Sequence, residues 1–99
     1  MTDLESELQE YLITLGKNPK SVSERMEHYT EHLLHLLAYD TENVLKQYYG
    51  LFDTPVTSLE DLAYKRRISP EVMRSVIDKA LRTLAITPEW QMMKQLISR

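Results

Sequence analysis

Residues 44–85 read VLKQYYGLFDTPVTSLEDLAYKRRISPEVMRSVIDKALRTLA, and the breakers in this stretch set the architecture. Val44, Leu45, Tyr48 and Tyr49 repeat at helical spacing and stop at Gly50, the residue type that best takes the left-handed backbone of a helix end. A loop leads to Ser58, which stands three residues before Asp61 as a capping residue stands before a first-turn acid. Leu59, Leu62 and Ala63 mark the buried side of the short helix that follows. After Lys65, Arg66, Arg67 and the apolar plug Ile68, Ser69 and Pro70 open a longer helix, with serine as cap and proline in the first turn. Met73, Val76, Ile77, Ala80, Leu81 and Leu84 form its apolar stripe, and Glu71, Arg74, Ser75 and Asp78 fall outside it. A short helix, a tight turn and a longer helix with a basic polar side make the layout of a helix-turn-helix, whose second helix suits the major groove of DNA.

The same punctuation extends to both ends. Leu4, Leu8, Tyr11, Leu12 and Leu15 predict a first helix stopped by Gly16. Asn18–Pro19, with Ser21 and Glu24 as a capping box, predicts a second, carrying Val22, Met26, Tyr29, Leu33, Leu36 and Leu37 to about Ala38. Asp40 or Thr41 is the expected cap of the third helix, and Thr87–Pro88 the start of a sixth bearing Trp90, Met93, Leu96 and Ile97. No segment alternates with period two. The expected fold is all-α: a small helical bundle containing a helix-turn-helix without a wing. Residues 1–39 form an acidic N-terminal helical hairpin, and residues 40–99 hold the helix-turn-helix, packed with it as one domain.

Ninety-nine residues make one small domain, with little room for a deep catalytic cleft. The chain has no cysteine, which excludes disulfides and thiolate metal sites and suits a reducing cytoplasm. Its acidic, amphipathic start is unlike a signal peptide, and no apolar run approaches a membrane span. Net charge is −3, but it is unevenly placed. Before Ser58 there are four Lys/Arg against ten Asp/Glu, giving −6; from Ser58 onward there are eight against five, giving +3. A basic half is the electrostatic footprint expected of a DNA-facing surface, although ordinary solvated helix faces can also divide this way.

Within residues 44–85, Val44–Leu45, Tyr49–Gly50–Leu51, the run from Ser58 to Ala63, and then Ser69, Glu71, Met73, Arg74, Val76, Lys79–Ala80–Leu81–Arg82 and Leu84 carry a likeness to a known family. The stretch resembles region 4, the C-terminal promoter-binding region of bacterial RNA polymerase sigma factors. That region typically reads V-L-x-x-R-Y-G-L, a loop, T-L-E-E-I-G, a turn, and S/T-R-E-R-V-R-Q-I-E-x-K-A-L-R-K-L-R. The likeness covers under half of the chain. Pro70, Val72 and Ser75 replace the family's arginine, second arginine and glutamine, Arg67 its turn glycine, and Tyr48 the arginine of R-Y-G-L. Glu71 and Arg74 keep its base-reading types.

The resemblance implies a free-standing region-4-like transcription regulator, similar to those carried by bacteriophages and mobile elements, with double-stranded DNA and RNA polymerase as partners. On this reading Lys65, Arg66, Arg67 and Arg82 anchor phosphates, and Ser69 caps a helix N-terminus that faces one. Arg74, Glu71 and Ser75 reach base edges; arginine matches the two acceptors of guanine, and glutamate accepts from cytosine. The competing expectation is an interaction protein that binds polymerase or another regulator without reading DNA. The N-terminal hairpin either completes the core or forms a homodimer or partner surface. Residues 8–34 also resemble, in spacing and a few residues, the helical core-binding arm of tyrosine recombinases. His28, Glu31 and His32 fit H-x-x-E-H, with His35 on the same side. Catalysis would need a third ligand and a cleft, so solvent-facing histidines are expected and no enzyme activity, metal or cofactor. Trp90 is expected in the core, with Met92 on either side of its boundary.

Overall fold

The computed structural model describes residues 3–97 and is all-helical, with no strand among the described residues. Among the described residues six α-helices follow one another: α1 (Asp3–Lys17), α2 (Glu24–Leu34), α3 (Tyr39–Tyr49), α4 (Leu59–Lys65), α5 (Pro70–Ala85) and α6 (Pro88–Ile97). A single 3-10 turn, Pro19–Ser21, lies between the first two.

α5 is the central element and packs against α1, α3, α4 and α6, while α2 lies on α6. One hydrophobic cluster joins Leu8, Leu12 and Leu15 of α1 to Val44 and Leu45 of α3 and to Met73, Ile77, Leu81 and Leu84 of α5. Two buried polar side chains join the helices as well. Thr30 donates to the Met26 carbonyl and meets the Tyr11 hydroxyl, both at 2.7 Å, so α2 is tied to α1 without an unmet polar atom. Glu5, 2% exposed, accepts from Arg82 Nε at 2.8 Å and links α1 to α5 across 77 residues.

The local boundaries show which signals carried. Ser58 accepts from the Asp61 N–H, Ser69 from that of Val72, and Thr87 from that of Trp90. Gly50 ends α3 at φ 67. Gly16, however, does not stop α1, which runs on to Lys17. A Cβ there would meet the carbonyl oxygen of Tyr49, so this glycine serves the close approach of α1 to the end of α3. Ser23 rather than Ser21 caps α2, accepting from the Met26 N–H. α2 ends at Leu34, four residues short of Ala38, and a turn redirects the chain so that Val44, Leu45 and Tyr49 enter the core. Leu34 is therefore buried and Leu36 is 47% exposed. Neither Asp40 nor Thr41 caps α3; Ala38 holds that position with no side-chain bond. Trp90 and Met93 are buried, whereas Met92, Leu96 and Ile97 are exposed.

Candidate nucleic-acid interface

α4, α5 and the turn between them place most of the expected site residues. α4 closes with two reverse bonds, Arg67 N–H to the Tyr64 carbonyl and Ile68 N–H to the Ala63 carbonyl, both 3.1 Å. This is the Schellman arrangement, and it requires a left-handed residue. Arg67 takes it at φ 58. Ala63, 1% exposed, lies beneath the turn, and half-buried Ile68 packs on the core. Pro70 fills the first turn of α5, and its missing N–H would have lacked an intrahelical partner in any residue.

Beyond that cap, Glu71, Arg74 and Ser75 are all exposed. They stand at i, i+3 and i+4 and so share one side of α5. The Ser75 hydroxyl donates to the Glu71 carbonyl at 3.2 Å, which leaves its lone pairs outward as acceptors. Arg74 and Asp78 both act on the phenol of Tyr49, at the end of α3. Burial pushes that phenol well above its ordinary value, Tyr48 and Asp78 add to the shift, and Arg74 opposes it.

The cations divide into two groups. Lys65, Arg67 and Arg74 make no ion pair among the described residues. Arg66 is engaged: its Nε and Nη2 reach the two Asp40 oxygens at 3.1 and 2.8 Å, and Nη1 donates to the Leu62 carbonyl. The guanidinium holds the Asp40 carboxyl below the usual carboxylate range. Arg82 is engaged by Glu5, which raises its affinity for a proton. It also lies eight residues beyond Arg74, about 12 Å farther along the helix axis. The structure thus brings Lys65, Arg67, Ser69, Glu71, Arg74 and Ser75 to the α4–α5 turn and the start of α5, and sets Arg66 and Arg82 in ion pairs with other helices.

Two exposed side chains nearby were not among the expected site residues, Tyr64 at 83% and Val72 at 49%. Both sit opposite the buried stripe of their helix, so the helical period alone could have found them. His28 and His32 are exposed, and no three His, Asp or Glu side chains among the described residues are grouped to hold a metal ion. No described helix is long and apolar enough to cross a membrane. Comparison with protein-family models, with curated proteins and with solved structures gives no match to this chain.

Proposed function

We propose that the chain is a DNA-binding transcriptional regulator in which α4 and α5 act as a helix-turn-helix and the first turns of α5 enter the major groove. The observation that carries this reading is the exposed side of α5 behind its Ser69 cap. It presents Glu71, Arg74 and Ser75 together, with Lys65 and Arg67, which make no ion pair among the described residues, at its entry. Backbone N–H groups at that terminus and the two cations suit phosphates; Arg74 and Glu71 suit guanine and cytosine edges. The likeness to sigma region 4 supports the same assignment, with RNA polymerase as a further partner.

A second reading is favoured by the engagement of Arg66 and Arg82, which leaves fewer free cations than the sequence offers. It is a sigma-like interaction protein that binds polymerase or another regulator without reading DNA. Selection from a random duplex library separates the two. Binding that weakens as salt rises, with a flatter salt slope once Lys65 and Arg67 are both alanine, is the expected result. Arg74→Ala should then cost about 1–3 kcal/mol at the selected site and relax one base position. No binding by wild type at low salt would leave the interaction protein as the reading.

A further inference from the structure

The exposed side of α5 holds one large apolar side chain that neither a phosphate nor a polar base edge explains. Val72 is 49% exposed and lies outside the hydrophobic cluster, which takes Val76 one turn farther on. It is the third residue of α5, and its N–H donates to the Ser69 cap at 3.2 Å. Its backbone is therefore fixed in the turn from which a recognition helix meets base edges. A β-branched side chain in a helix keeps one dominant rotamer, so the two methyl groups hold their direction before any ligand arrives. Glu71, beside it, offers only acceptors as a carboxylate. Ser75, one turn on, has its hydroxyl proton engaged by the Glu71 carbonyl and turns acceptors outward as well.

We propose that Val72 packs against the C5-methyl group of a pyrimidine in the major groove, an inference that rests on α5 being the recognition helix. A base pair shows one apolar group in that groove, the methyl on C5 of thymine. 5-Methylcytosine carries the same methyl on the same carbon, and cytosine and uracil lack it. Every other feature of the base edges there is a hydrogen-bond donor or acceptor, which a valine can only desolvate at a cost. The chemistry of the groove thus names the occupant: α5 selects a pyrimidine methyl beside the polar edges met by Glu71, Arg74 and Ser75.

The test uses the full chain and the duplex selected from the random library, with each thymine replaced singly by deoxyuridine. That change removes the methyl and no hydrogen-bonding group. At one thymine the wild type should lose affinity about fourfold, the contribution of one buried methyl, and Val72→Ala should bind the two duplexes equally. Because Val72 is exposed, Val72→Ala should melt as wild type does. Cytosine·guanine and 5-methylcytosine·guanine placed at that pair identify the source. A gain of about fourfold on methylation, seen with wild type and absent in Val72→Ala, assigns the contact to the methyl on either base; a response at thymine alone assigns it to thymine. The proposal is overturned if no thymine responds to loss of its methyl, or if Val72→Ala keeps the response. Salt-dependent, sequence-selective binding would in that case still leave α5 as the recognition helix, whereas absence of binding to any duplex would remove both.

Discussion

Arg67 occupies a backbone conformation that its side chain disfavours, at φ 58 in the turn before α5. A left-handed residue with a Cβ costs about 1–2 kcal/mol. Glycine would remove that cost, and its greater freedom in the unfolded chain would take back about 0.5–1 kcal/mol. Arg67→Gly should therefore leave the protein as stable or up to about 1.5 kcal/mol more stable, as read from urea unfolding, while weakening binding to every DNA sequence. Stability and binding moving in opposite directions would mark Arg67 as a residue held in strain for contact. Equal losses in both would remove it from the interface. The position was legible as the family's turn glycine, but its φ was not, because arginine gives no local sign of a left-handed backbone.

At the scale of elements, the α4–α5 pair depends on Ala63, which lies buried where the turn folds back. Ala63→Leu should lower stability by about 1–3 kcal/mol through overpacking, and a variant melting at the wild-type temperature would remove the close crossing. The starts of α4, α5 and α6 were legible because Ser58, Ser69 and Thr87 act on N–H groups three residues away. What failed depends on distant partners. Gly16 answers to the Tyr49 carbonyl, 33 positions on, rather than to its own helix. Asp40 reads locally as a cap, yet its carboxylate is taken by Arg66, 26 residues later. The engagement of Arg66 and Arg82 was hidden for the same reason, so the sequence showed where the cations are but not which are free. Leu36 was misplaced because a periodic run does not show where a helix must turn to bring the next one inward.

Over the whole molecule, buried or paired carboxylates set the response to acid. Burial pushes Glu42 upward, but His35 Nδ1 at 2.7 Å and Lys46 Nζ at 3.0 Å outweigh it and hold the carboxyl below its usual range. Asp40 is likewise held down, by Arg66. A folded value below the unfolded one means these contributions are full above the ordinary carboxylate range, near about 4. They are lost as pH falls through the lower folded values. Urea midpoints should therefore drop as pH falls below about 4.5, and Glu42→Gln should lower the midpoint at neutral pH while flattening that drop. A Glu42→Gln curve parallel to wild type would show that the pair has no linkage to folding. The seam between α1 and α5 also governs the order in which the chain can fold. Leu8, Leu12 and Leu15 share their cluster with Ile77, Leu81 and Leu84, and Glu5 finds Arg82 only across 77 residues. Four helices can thus be present in sequence before the element that unites them exists. A chain cut after residue 68 should show the weak circular dichroism of fraying helices and no cooperative melt, and adding residues 69–99 as a separate peptide should restore strong helical dichroism and a cooperative melt.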